Sequence, residues 1–220
     1  MIKTLLFRLE GPMQSWGTQS RFSIRDTGLE PSRSGVIGLL CAALGRPRHD
    51  TEILKRLAVP IMGVRADREG ILKKDFHTAL EVAKAGGGTK PTETSDRWYL
   101  SDASFLVGLE SGDEELLLAL EQALRRPRWQ LFLGRKSFVP STPIWLPDGL
   151  RDERLREALT AYLWQERPGE QTKQLRIVLE TTLGMGAEVR QDVPLSFAER
   201  RFTTRYVCTD FIPTPKGAIA

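Results

Sequence analysis

The 220-residue chain reads as an α+β fold: a ferredoxin-like or RNA-recognition-type βαββαβ domain with a long insertion, followed by a smaller β-rich region. Three observations predict it. Apolar, β-rich runs alternate with helical patterns in the order strand, helix, strand, strand, helix, strand. The second and third strands are separated by residues 67–102, far more chain than a tight hairpin turn uses. Beyond residue 136, prolines and strand-like runs dominate.

Ile2–Leu9 is short and apolar, a buried strand. The loop Gly11–Glu30 follows. Pro31-Ser32 opens a helix, where Ser32 or Ser34 can accept from the free N–H groups of the first turn. Val36, Ile37, Leu39, Leu40, Ala43 and Leu44 give this helix a wide apolar face, and Gly45 with Pro47 stops it. Gly35 and Gly38 each cost roughly 1 kcal/mol relative to alanine. With Ala42 they form a narrow stripe where another backbone or a partner packs closely. Asp50 caps a short helix through Leu57. Val59–Ala66 and Ser104–Leu109 read as strands. Asp113–Arg126 is amphipathic, with acids first and arginines last, as the helix dipole favours. Trp129–Leu133 reads as the fourth strand. Residues 1–136 then form one domain with an insertion at about 67–102, and 137–220 a smaller region packed on it. The latter holds a stretch with Pro140, Pro143 and Pro147, a helix near Arg151–Trp164, a strand at Gln174–Thr181, a turn at Gly184–Gly186 and a closing strand at Phe202–Cys208.

Lysines and arginines number 32 against 28 aspartates and glutamates; the net charge of +4 is too modest to prove a polyanion partner by itself. Cys41 and Cys208 give neither a disulfide framework nor a metal cluster, and no metal or cofactor is expected. Met1-Ile2-Lys3 leads into no signal pattern, and the apolar runs fall short of a membrane span. These features predict a cytoplasmic protein with no membrane partner.

The segment Arg125–Lys136, RRPRWQLFLGRK, holds five basic residues and no acid, with Trp129 and Phe132 among them. Arginine contacts phosphate and rings stack on bases, so the mixture suits single-stranded nucleic acid. A helix end followed by a core strand explains Arg125, Arg126 and the aromatics equally well. It explains Gly134, Arg135 and Lys136 poorly, because that sequence makes an exposed, anion-facing turn. In the Gly11–Glu30 loop the candidates are Gln14, Trp16, Arg21 and Arg25. Arg33 opens a helix whose N-terminus favours phosphate. The plainer reading of Trp16 is a ring plugged into the core. The insertion carries Gly86-Gly87-Gly88 and then Arg97, Trp98 and Tyr99. It reads as an arm that orders on binding, against the alternative of an inconsequential loop. The candidate RNA-binding set is therefore Gln14, Trp16, Arg21, Arg25, Arg33, Arg97, Trp98, Tyr99, Phe132, Arg135 and Lys136. For catalysis the inventory is thin. His49 and His77 are the only histidines, and no His, Cys and acidic residues share metal-ligand spacing.

Several of these pieces resemble the CasD-type subunit of the type I-E CRISPR surveillance complex, Cascade. They are GPMQSWG (Gly11–Gly17), PSRSGVIGLLCAALG (Pro31–Gly45), DFHTAL (Asp75–Leu80), DRWYLSDASF (Asp96–Phe105), LGRKS (Leu133–Ser137) and, more weakly, RRFTTRYV (Arg200–Val207). The resemblance implies a repeat-associated, RNA-recognition-like fold whose insertion is a β-hairpin thumb. It implies a non-catalytic role in antiviral defence: holding the repeat-derived 5′ handle of the guide RNA (crRNA). The implied partners are the backbone and large subunits, near target DNA. Arg97, Arg135 and Lys136 match family positions near the handle. Some relatives have tyrosine at Phe132. Gly86–Gly88 departs from the more polar tips of relatives.

The rival reading is a metal-independent CRISPR repeat-RNA endoribonuclease, which needs acid–base groups and a cation at the cleaved phosphate. His49 or His77 with Tyr99 and Lys136 would have to serve. A ferredoxin-like metabolic oligomer is a third, and the interleaved arginines and aromatics argue mildly against it.

Overall fold

A computed structural model describes residues 2–20, 23–164, 173–183 and 187–215. The first strand, β1 (Lys3–Glu10), is buried nearly throughout because both of its faces are covered. Successive side chains of a strand point to opposite faces. Leu5, Phe7 and Leu9 enter one core cluster, with the apolar faces of α1 (Arg33–Leu44), α2 (Thr51–Leu57) and α3 (Glu114–Arg125). Leu6 enters another, with Leu106 and with Leu155, Ala158 and Leu159 of α4 (Leu155–Ala161). Before α1 come two very short strands, β2 (Met13–Gln14) and β3 (Ile24–Arg25).

The main sheet is seven-stranded and antiparallel. Its remaining members are β4 (Ile61–Arg68), β7 (Ser104–Ser111), β8 (Trp145–Arg151), β9 (Gln174–Thr181), β10 (Glu188–Ser196) and β11 (Arg201–Pro213). Their order is β10-β11-β9-β4-β7-β1-β8, so strands from both sides of residue 136 share one sheet. The insertion is a hairpin, β5 (Ile71–Ala83) and β6 (Thr89–Ser101), paired from Ile71–Ser101 to Ala83–Thr89. At about 3.3 Å per residue it reaches about 40 Å. Gly87 and Gly88 turn its tip with φ of 89° and 76°. At its foot β6 also pairs with β2, antiparallel, and β3, parallel.

Three expectations are corrected. Trp129–Leu133 is irregular chain, not a strand. The amides of Arg128 and Trp129 donate to Ala43 O (2.8 Å) and Ala42 O (3.2 Å), satisfying carbonyls that the end of α1 leaves free. That holds the segment across a helix end, and β8 takes the place beside β1, with Leu150 opposite Leu5. The helix expected over Arg151–Trp164 is only the single stretch Leu155–Ala161. The strand β10 went unread: its register slips between Arg190 and Val193 and again between Pro194 and Ser196, which blurs the period of two. The expected turn at Gly184–Gly186 lies outside the described residues.

Candidate nucleic-acid interface

The loop after β1 turns inward first. Gln14 is fully buried; its Nε2 donates to Leu9 O (3.1 Å) and Ala103 O (2.8 Å), and its Oε1 accepts from Trp16 Nε1 (3.1 Å). Trp16 fills the space Gly35 leaves: a Cβ on Gly35 would sit 2.8 Å from Trp16 Cε3. This explains the first glycine of the helical stripe, and it corrects Gln14 and Trp16, whose side chains face the core and not a ligand.

Arg33 is corrected in the same way. Ser32 Oγ caps α1 by accepting from the Gly35 amide (3.2 Å), and the Arg33 amide donates to Asp192 Oδ2 (2.7 Å). A carboxylate of this chain thus occupies the helix start where phosphate was expected. The Arg33 guanidinium, 1% exposed, donates to Glu180 Oε1 (3.0 Å) and to the carbonyls of Leu57, Ala58 and Pro60. Arg205 closes the network on Asp192 (2.7 Å) and Glu180 (3.2 Å). Arg21 lies outside the described residues.

Cations that do reach the surface converge at the foot of the hairpin. Arg25 is exposed on β3, opposite Arg97 in the parallel β3–β6 register. Arg97, half-buried, faces Asp75 across β5–β6 and donates from Nε to Ser95 Oγ (3.1 Å). Arg135 arrives on a tight turn closed by Leu133 N to Phe138 O (2.8 Å) and Phe138 N to Arg135 O (2.9 Å). Its Nη2 donates to Trp98 O (2.8 Å) and Arg25 O (3.3 Å). Glycine alone fits the turn: Gly134 has φ 93°, and a Cβ there would lie 1.8 Å from Ser15 O. Lys136 follows, exposed. Trp98 is half-buried, with the Lys74 ammonium 5.8 Å from its ring centre.

Burial first, then the charge of Arg97, push the Arg135 guanidinium below its ordinary value, while Asp75 and Asp26 act the other way. A guanidinium pressed by burial and by a like charge gains from an incoming anion. Two candidate aromatics sit less openly. Tyr99 packs against the core with its ring centre 6.0 Å from that of Phe138, which corrects the expectation of a free stacking face. Phe132 is half-buried between buried Leu131 and Leu133.

Sequence reasoning missed Asp26. Its carboxylate accepts from the amides of Thr18 (3.2 Å) and Gln19 (2.9 Å) and from the Ser20 hydroxyl, knotting the loop ahead of Arg25. Burial pushes this carboxyl up, but the hydrogen bonds from Ser20 and from the Gln19, Thr18 and Asp26 amides outweigh it, and it lies below the ordinary range. The signal was an aspartate closing a polar loop, a residue type suited to binding nearby amides.

The residues drafted for nuclease chemistry are not assembled. His77 faces Ser95, whereas Tyr99 faces Lys73, four positions back along β5, or about 13 Å. His49 is exposed in the turn between α1 and α2. Burial pushes the Cys41 thiol up to about 11, the behaviour of a core residue. Among the described residues no group of three or more His, Cys, Asp or Glu is placed to hold a metal, and no helix is long and apolar enough to cross a membrane.

The family model described as "CRISPR-associated protein (Cas_Cas5)" matches residues 4–208. The chain belongs to that CRISPR-associated Cas5 family. This Cas5-family chain is 39% identical, over 156 residues, to the CRISPR system Cascade subunit CasD of Escherichia coli (strain K12), covering 64% of this chain and 69% of that protein. It is also similar to a solved structure described as "Crystal structure of Cas protein", with TM-score 0.78 and 45% identity, covering 97% of this chain and 98% of that one. A chain of a "CRISPR RNA-guided surveillance complex" matches with TM-score 0.78 and 33% identity, covering 96% and 91%. The resemblance to CasD-type Cascade subunits read from the sequence holds, and the chain is a CRISPR interference subunit of antiviral defence.

Proposed function

We propose that this Cas5-family chain holds the 5′ handle of crRNA within a Cascade-type complex and performs no chemistry of its own. The convergence of Arg25, Arg97, Arg135 and Lys136 beside Trp98 at the foot of the hairpin carries this reading. Cations positioned by backbone contacts, next to an aromatic, match the chemistry of single-stranded RNA. The order β8-β1-β7-β4 supports a ferredoxin-like unit, with β5–β6 as its inserted thumb. Contact with the backbone and large subunits is supported by Ile71, Leu72, Phe76 and Leu80, which the thumb leaves exposed on β5. Incubating the purified chain with repeat RNA in chelator tests the reading. Binding without cleavage is expected; metal-free cleavage would replace it with the endoribonuclease reading, and no binding would remove both.

A further inference from the structure

We propose that the C-terminal ends of α1 and α3 together form a second nucleic-acid surface, separate from the hairpin foot, that fits the phosphate backbone of a duplex. The fold brings together two basic stretches far apart in sequence, Gly45–His49 (GRPRH) and Arg125–Trp129 (RRPRW). Their junction is built, not incidental. The Arg128 and Trp129 amides donate to Ala43 O (2.8 Å) and Ala42 O (3.2 Å), and the Arg128 stem lies on Gly45, where a Cβ would meet Arg128 Cγ at 2.5 Å.

Arg46, Arg48, Arg125, Arg126 and Arg128 are all exposed there. Arg46 meets Asp50 at 3.6 Å, and Arg125 lies 4.9 Å over the Trp145 ring. Arg48, Arg126 and Arg128 form no ion pair among the described residues. The two helix ends answer only about one unit of charge between them, so dipole compensation leaves most of the cluster unexplained. The surface is also distinct from the first. The chain from Arg128 to Gly134 runs from Gly45, at the end of α1, to Ser15 beside the Trp16 that covers Gly35 near its start. α1 spans 12 residues, which is about 18 Å.

Chemistry selects the partner. Single-strand sites use an aromatic for each successive base, but Trp129, 48% exposed, is the one exposed large aromatic in these two stretches. A protein interface centres on an apolar core, which Trp129 alone does not supply. A duplex backbone asks for little beyond positive charge held at fixed points.

The test uses the full chain in chelator and fluorescence anisotropy with four probes: a short random-sequence DNA duplex, one of its strands, polyglutamate and handle RNA. Arg48→Gln with Arg126→Gln should weaken duplex binding roughly tenfold and lower its salt slope by about 2, one for each lost phosphate contact. Handle RNA binding should stay within about twofold, and thermal unfolding should not move, because both side chains are exposed. If the pair does melt early, Arg48→Gln alone serves, with half the change in slope. Arg25→Ala with Arg97→Ala should show the reverse pattern of losses. Unchanged duplex binding in the first variant, equal losses for duplex and handle RNA, or tighter binding of the single strand or polyglutamate than of duplex would overturn the proposal. Handle RNA binding that survives the second variant would sink the handle reading and leave this one standing.

Discussion

At Gly134 a single methyl group separates a working turn from a broken one. Alanine there must hold φ near 93° and overlap Ser15 O. Gly134→Ala should lose about 1–3 kcal/mol from backbone strain alone, more from the clash, and should weaken RNA binding because Arg135 is carried by that turn; thermal unfolding and RNA titration read both. Arg33 behaves oppositely. Removing its guanidinium takes one charged partner from Glu180 and the donor from the carbonyls of Leu57, Ala58 and Pro60, so Arg33→Met should cost about 3–5 kcal/mol, the usual result of breaking a buried pair. The variant that still folds should bind handle RNA as the wild type does. A binding loss without a stability loss would restore Arg33 to the interface. Asp26 links the loop to pH. Its folded pKa is depressed, so its contribution is fully present above the unfolded value, about 3.9, and is lost as pH falls through the folded value below it. The Thr18 and Gln19 amides, which donate to this carboxylate, should therefore keep their exchange protection down to about pH 4 and lose it only in stronger acid. Loss between pH 6 and 5 would show that another group holds the loop.

The boundaries of α1, α2 and α3 were legible in the sequence because their determinants are local. Ser32, Gly45, Asp50 and Asp113 all cap as their residue types predict. The strand at 129–133 was misread because its apolar residues pack without joining a ladder: Leu131 and Leu133 are buried, while the amides of Arg128 and Trp129 serve α1. The insertion was legible as an arm from its length, and its strand pairing gives the arm a rigid foot. Arg97 belongs to that foot. Arg97→Ala should leave the melting temperature nearly unchanged and weaken handle binding by roughly 1–3 kcal/mol, as for a charged hydrogen bond. Lysine should rescue only in part, lacking the planar fork. Early melting with normal binding in the folded fraction would make Arg97 structural.

Across the whole molecule, residue chemistry was easier to read than residue direction. Arginines and aromatics were singled out by type, yet Gln14, Trp16 and Arg33 turn inward toward Ala103, Gly35 and Glu180. Those partners lie far along the chain, and no local pattern announces them. Arg25, Arg97 and Arg135 also come from distant segments, and it is the β3–β6 pairing and the Gly134 turn that gather them.

The central claim, that this gathered cluster grips the handle electrostatically, is tested most directly by the salt dependence of handle RNA binding to the wild-type chain and to Arg25→Ala/Lys136→Ala. Both of those side chains are exposed. Each lost phosphate contact should reduce the slope of log K against log salt by about 0.7 on a single strand, so the double variant should bind more weakly with a slope shallower by about 1.4. Equal slopes and equal affinities for the two proteins, both fully folded, would contradict the claim.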